Sequence, residues 1–187
     1  MDTLNWHQIT ETLKSGGTLL YPTDTIWGIG CDATNADAIE RVYQIKNRDL
    51  QKPMIILVDT EKRLQDLVEV PEMAWEIIDL SEKPVTIIYD QPKGLPDNLL
   101  AEDGSIGIRL VKNQLCQQII RKINAPLVST SANFSGEKSP LSFSDISTDL
   151  KNAVDLIIPE TQAQPTPWRG SSIIRIWNDN RIKVLRE

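Results

Sequence analysis

Apolar residues recur along this chain in two rhythms. Leu4, Ile9 and Leu13 stand among polar neighbours over residues 3–15, which predicts an amphipathic helix stopped by Gly16-Gly17. Thr18-Leu19-Leu20-Tyr21 is a short, continuous apolar run, so it reads as a buried strand ended by Pro22. The paired glycines Gly28 and Gly30 then follow Thr23-Asp24-Thr25, a pattern that suits a ligand loop or a tight turn. Helical spacing returns at Ile39, Val42 and Tyr43, behind the candidate caps Thr34 and Asn35. The next position on that stripe is Lys46. A cation on a buried helical face must find an anion, extend to water or end in a polar cleft.

Met54–Val58 is a second buried strand. Thr60 caps a helix carrying Leu64, Leu67 and Val68, and Pro71 suits the first residue of a helix running to about Leu80. Val85–Tyr89 is a third strand. After a loop rich in Pro, Gly and Asp, residues 105–111 alternate, with isoleucines on one side and Ser105, Gly107 and Arg109 on the other. A helix over Asn113–Lys122 precedes a strand from Pro126 that runs into the hydroxyl-rich stretch Ser129–Gly136. A helix over 143–153, a short strand at Leu156–Ile158 and a loop over Thr161–Trp168 lead to a hairpin of Ser171–Trp177 and Arg181–Leu185. Strands mostly followed by helices, closed by a hairpin, predict one α/β domain over residues 1–187 on a mixed sheet.

Composition narrows the chemistry. The 187 residues carry net charge −6, which argues against a broad nucleic-acid surface but leaves room for a local basic cleft. Two distant cysteines, Cys31 and Cys116, make no disulfide framework and point to a reducing cytosol. With His7 as the one histidine, neither a zinc site nor a Ser-His-Asp apparatus is expected. The first residues carry no basic leader, and no apolar run approaches the roughly 18 residues of a membrane span. A cytoplasmic protein without membrane contact is expected.

Phosphate loops of the G-x-x-x-x-G-K-[ST] and G-x-G-x-x-G types are missing from the sequence. A bound nucleotide would therefore have to be held by side chains. Lys46, Arg48 and Lys52 crowd into Lys46–Pro53, between a predicted helix and a predicted strand. Alone, such a cluster more simply satisfies a helix end. Open α/β sheets also hold ligands at such junctions. Ser131 and Asn133 follow a strand and can hold an anion by neutral hydrogen bonds, or form an ordinary polar turn.

Three elements taken together resemble the YrdC-like family. They are Leu20-Tyr21-Pro22-Thr23-Asp24-Thr25-Ile26-Trp27-Gly28-Ile29-Gly30, then Lys46-x-Arg48 with Lys52-Pro53, and Ser131-x-Asn133 followed by Ser135-Gly136 and Ser139-Pro140. They occur in order and span most of the chain. The resemblance implies a twisted mixed sheet flanked by helices around a positively charged cavity. It also implies an adenylating synthase that condenses L-threonine, bicarbonate and ATP to threonylcarbamoyl-AMP and pyrophosphate. The product would serve a downstream tRNA threonylcarbamoyl transferase machinery acting at adenosine 37, with weak or no direct RNA binding by this chain.

The same resemblance assigns Lys46, Arg48, Lys52, Ser105, Asn133, Ser139, Leu141 and Arg186 to ATP, with Lys46 and Arg48 serving catalysis. It assigns Thr25, Arg109, Ser131 and Ser171, or its neighbour Ser172, to threonine. Mg2+ is expected with ATP and without a protein ligand. This chain departs from the family pattern at Ser81–Thr86, at Leu110-Val111 after Arg109, at Trp27 where tyrosine is common, and at Arg175 where an acid is frequent. Two other readings are a non-catalytic RNA-binding member of the fold and a paralogue that adenylates another carbamoyl donor.

Overall fold

The computed structural model describes residues 4–167 and 169–187, so Thr3 of the predicted first helix and Trp168 of the predicted loop lie outside the described residues. In chain order the elements are α1 (Trp6–Lys14), β1 (Leu19–Tyr21), β2 (Gly28–Gly30), α2 (Ala36–Ile45), β3 (Ile55–Val58), α3 (Glu61–Leu67), α4 (Glu72–Leu80), β4 (Val85–Tyr89), β5 (Ile106–Leu110), α5 (Gln114–Ile123), β6 (Leu127–Ser131), α6 (Thr148–Ala153), β7 (Leu156–Ile157), β8 (Ser172–Ile176) and β9 (Ile182–Arg186). The strands make one mixed sheet in the order β7-β1-β2-β6-β3-β5-β4-β8-β9. Pairs β1·β7, β3·β5 and β4·β8 are parallel, and the other neighbours are antiparallel.

Period-2 alternation sorts the strand residues onto two faces. Leu19, Tyr21, Leu57 and Leu127 pack with Ile9 and Leu13 of α1 and Ile119 and Ile120 of α5. Leu20, Ile56, Val58, Ile108 and Val128 pack with Ile39 and Val42 of α2, Ile78 of α4 and Leu150 of α6. Cys31 and Cys116 are free and buried, as small apolar residues should be, and His7 is exposed on α1. Helix starts follow local chemistry. Asn5, Asn35, Thr60, Asn113 and Ser147 each accept a backbone N–H in the first turn of the following helix, worth about 1 kcal/mol apiece. Among the described residues no helix is long and apolar enough to cross a membrane.

Two expectations are corrected. The helix read over 143–153 is a 3-10 turn, Phe143–Asp145, followed by α6. Ile146 is extended, and Ser147 caps Leu150 N, so the chain restarts rather than continues. The glycines after Ile26, read as a turn or loop, form strand β2 between β1 and β6. Glycine is required there by contact. A Cβ on Gly30 would sit 1.9 Å from Val128 O and 3.1 Å from the Tyr21 ring. Gly30→Ala must therefore push β2 away from β6. The expected loss is about 3 kcal/mol of stability, the upper end of ordinary overpacking. Urea unfolding followed by tryptophan fluorescence measures it, and a loss under about 1 kcal/mol would show that the strands separate easily.

Candidate active site

Helices α1 and α5 cover only part of their face of the sheet. Beyond Leu57 and Leu127 the same face turns polar, because alternation brings up Ser129 and Ser131 on β6 and Arg109 on β5. A cleft of about 260 Å³ opens over this area. Seven residues expected from the sequence line it: Thr25, Arg48, Arg109, Ser131, Ser139, Ser171 and Arg186. Thr23, Ser129, Thr130 and Arg169 also line it, and no carboxylate does among the described residues. Alternation with Ser131 would have pointed to Ser129. No local pattern marks Arg169, which stands in a loop.

Arg109 is the buried centre of this wall, only 3% exposed. Its Nη2 lies 3.1 Å from Asp24 Oδ1, an ion pair that falls short of hydrogen-bond alignment. Nη1 donates to Thr25 Oγ1 at 3.4 Å. Its Nε is buried without a partner, a condition that ordinary cores avoid. The loop holding Thr25 is fixed by Thr23. The Thr23 hydroxyl donates to Ile26 O at 2.8 Å and accepts from Thr25 N at 3.0 Å. With its proton on Ile26 O, Thr23 must also accept from the Thr25 hydroxyl, 3.0 Å away. Thr25 is left as an acceptor facing Arg109.

On the far wall, Thr86 and Ser171 share a hydroxyl contact of 2.7 Å. Arg186 donates through Nε and Nη2 to Ser171 O, at 3.0 and 2.8 Å. Partial burial of the guanidinium, then the charge of Arg109, push Arg186 below its ordinary range. Two cations that repel across a cleft mark a place suited to an anion. Arg48 donates through Nε to Lys52 O at 2.8 Å and through Nη2 to Pro53 O at 3.0 Å. These bonds fix its fork beside the cleft without neutralising it. Among the described residues no group of three or more His, Cys, Asp or Glu side chains gathers to hold a metal ion.

The other expected residues lie elsewhere. Lys46, at the end of α2, is 1% exposed, as its helical stripe predicts, but it sits beneath the cleft. Its Nζ donates to Ser131 O and, at 2.5 Å, to Asn133 O. Burial, then Arg48, push its ammonium down to about 7. Lys52 is exposed. The Asn133 amide donates to Phe134 O and Glu137 O, at 2.8 and 3.0 Å, and its Oδ1 is buried without a hydrogen-bond partner. Leu141 is exposed and lines an adjoining hollow of about 480 Å³ that shares Thr23, Thr25 and Trp27 with the cleft. Ser105 lines a separate open hollow with Gln51. The altered loop at Ser81–Thr86 edges another hollow, of about 300 Å³, reached past Thr23 and Asp24.

Lys46 thus holds the Ser131–Asn133 turn. Lys46→Met leaves two carbonyls without their donor and is expected to cost about 2–6 kcal/mol, at about 1–3 kcal/mol for each unsatisfied group. The pH dependence has a definite sign. An unfolded lysine keeps its proton to its ordinary range, whereas Lys46 releases it near 7. Between about pH 7 and 9 the unfolded chain binds more protons, so the native protein gains stability as pH rises. The wild-type advantage over Lys46→Met, read from urea midpoints, should widen across that window. A gap that narrows would overturn the assignment.

A sequence profile of Sua5, YciO and YrdC proteins, described as telomere recombination, matches residues 11–187. The chain belongs to the Sua5/YciO/YrdC family. Among its relatives, a Methanocaldococcus jannaschii protein named for threonylcarbamoyl-AMP synthase is 34% identical over 181 residues, covering 96% of this chain and 83% of that one. A threonylcarbamoyl-AMP synthase of Xanthomonas euvesicatoria pv. vesicatoria is 30% identical over 185 residues, covering 95% of this chain and 99% of its own.

Solved structures share the Sua5/YciO/YrdC fold. P. abyssi Sua5 complexed with L-threonine superimposes with TM-score 0.87 at 22% identity, over 99% of this chain. E. coli YciO does so with TM-score 0.83 at 24% identity, over 100% of this chain and 91% of that one. This chain spans about half, 55%, of the P. abyssi Sua5 chain. The twisted mixed sheet read from the sequence is thus the family's fold.

Proposed function

We propose that this family member is a threonylcarbamoyl-AMP synthase. It condenses L-threonine, bicarbonate and ATP and releases pyrophosphate and water. The observation that carries the reading is the buried Arg109 fork, steadied by Asp24 and Thr25 with Nε unpartnered, in one cleft with Arg48 and Arg186. Such a fork suits a carboxylate, and flanking arginines suit phosphates. In this reading the cleft is the positively charged cavity of the family. Two relatives named for this activity support the assignment.

The chemistry needs no enzyme nucleophile. The threonine amine adds to carbon dioxide from bicarbonate and loses a proton, giving a carbamate. A carbamate oxygen attacks the α-phosphorus of ATP, and the bond to the β,γ-pyrophosphate breaks. Arg109 and Thr25 orient threonine, with Ser131 and Ser171 beside them. Arg48, Arg186 and Ser139 meet the phosphates, so two anions can approach each other. The catalytic contribution is positioning and charge stabilisation. Lys46 and Asn133 set the Ser131 turn from below, and Lys52 and Leu141 flank the mouth. Mg2+ enters as the counter-ion of the ATP substrate, and no step is assigned to a protein-bound ion. The threonylcarbamoyl group then passes to tRNA through a separate transferase in the cytoplasm. At net charge −6, direct RNA binding by this chain is weak.

Incubation with Mg·ATP, bicarbonate and each of the amino acids in turn tests the reading. Pyrophosphate and an adenylate should form together with threonine, and only when bicarbonate is present. An adenylate that forms without threonine, or that prefers another amino acid, would overturn it.

A further inference from the structure

Four arginines line the cleft, and three of them are already held. Arg48 donates to Lys52 O and Pro53 O, and Arg186 donates to Ser171 O. Arg109 donates to Thr25 and pairs with Asp24. Arg169 is the fourth. Among the described residues it alone of the four has neither a hydrogen bond nor an ion pair. Its backbone is set in place all the same. Three residues earlier, the Thr166 hydroxyl donates to Asp24 O at 2.8 Å. Directly after it, Gly170 has φ +151°, a conformation that favours glycine, and a Cβ there would lie 3.3 Å from Arg186 Nη2. Ser171 follows, 3% exposed and bonded to Thr86. The chain thus brings Arg169 to the cleft between two anchored points, one at Asp24 and one beside Arg186, and leaves its side chain exposed and free.

An exposed arginine needs no partner, but the surroundings single this one out. The chain has 26 acidic residues against 20 basic ones, yet no carboxylate lines the cleft among the described residues. Four like charges around about 260 Å³ repel one another, so a ligand with several negative charges gains most there. Arg169 also lines the adjoining hollow, beside Ser142 and Phe143, and it is the one cation common to both spaces among the described residues. The three held arginines suit groups that stay where they bind. In the adenylating reaction one group does not stay. When the bond to the α-phosphorus breaks, an oxygen of the β-phosphate keeps the bonding pair, and the pyrophosphate departs with one more negative charge. A free guanidinium that reaches both spaces can follow it, and its fork can take two phosphate oxygens at once.

We propose that Arg169 is the leaving-group residue of this site: it is drawn onto the β- and γ-phosphates of ATP and accompanies the pyrophosphate from the cleft into the adjoining hollow. An arginine supplied in this way by the same chain stabilises the charge of other phosphoryl-transfer sites. The proposal rests on the synthase reading for the reaction, though not for the contact with the polyphosphate.

Titration calorimetry on the full chain tests the contact without turnover. Arg169→Ala should weaken the Kd of Mg·pyrophosphate and of Mg·ATP at least about tenfold, the scale of a charge-assisted hydrogen bond. The Kd of AMP, which lacks the β- and γ-phosphates, and that of threonine should stay within about twofold of wild type. Arg169→Lys keeps the charge without the fork and should fall between. Arg181→Ala removes the same charge at the end of β9 away from Arg186, from a side chain 70% exposed, and should leave all four constants unchanged. In turnover, Arg169→Ala should lower kcat at least about tenfold with the KM of threonine unmoved. Arg169 holds nothing in the protein, so Tm should stay within about 2 °C of wild type. An unchanged pyrophosphate Kd, an equal loss for AMP or threonine, or an equal loss in Arg181→Ala would each overturn the proposal. A wild type that binds pyrophosphate through Arg169 but makes no threonine-dependent adenylate would sink the synthase reading and leave the polyphosphate contact standing.

Discussion

Arg109→Lys should lower kcat/KM for threonine by at least about 100-fold, close to 2.7 kcal/mol of transition-state stabilisation, and move the KM of ATP by less than about threefold. The guanidinium is almost wholly buried, and its Nη1 and Nη2 are turned to Thr25 and Asp24. Its Nε has no partner in the protein. A carboxylate bound there gains charge-assisted hydrogen bonds worth about 1.5–3 kcal/mol each. Lysine keeps the positive charge beside Asp24 but presents no planar fork. Arg109→Ala would be a poorer test, because it also strands the Asp24 carboxylate and so mixes a loss of stability with a loss of binding. Steady-state pyrophosphate release with each substrate varied separates the two constants. A raised KM for ATP with threonine untouched would move Arg109 out of the amino-acid site.

The sequence made some of this site legible and hid the rest for physical reasons. Helical spacing alone brings Lys46 to the buried face of α2, and the structure has it 1% exposed. Alternation alone puts Gly107 and Arg109 on one side of β5. Both are local periodicities, fixed by 3.6 and 2 residues per repeat. What the side chains meet is not local. Lys46 finds the carbonyls of Ser131 and Asn133 because β6 runs antiparallel between β2 and β3 and ends above α2. The register of three strands decides that contact, and no short stretch encodes it. β2 was hidden for another reason. Its two glycines look like turn residues, yet they are there because Val128 O passes where a side chain would stand. Ser105 could be read as a hydroxyl near a nucleotide, but its proton direction depends on Asp103 and Arg175, which come from a loop and a distant strand.

Arg48→Ala should abolish pyrophosphate release, with kcat falling at least about 1000-fold, as when other phosphoryl-transfer sites lose a charge-stabilising arginine. The fold should survive. Arg48 is half-buried, and its two bonds reach carbonyls of its own loop, Lys52 O and Pro53 O. Losing them at a loop edge should shift Tm by no more than about 4 °C, the scale of 1 kcal/mol or less. Lys46→Met makes the opposite forecast from two residues away. It removes the donor that two buried carbonyls share, so stability falls first, and turnover follows only as the Ser131 turn relaxes. The pair thus separates charge offered to the ligand from charge used to build the wall. Arg48→Lys sharpens the test, since it restores the charge without the fork and should recover only part of the rate. Turnover in Arg48→Ala within about threefold of wild type, measured with the variant folded by circular dichroism, would return the basic stretch to an ordinary helix end.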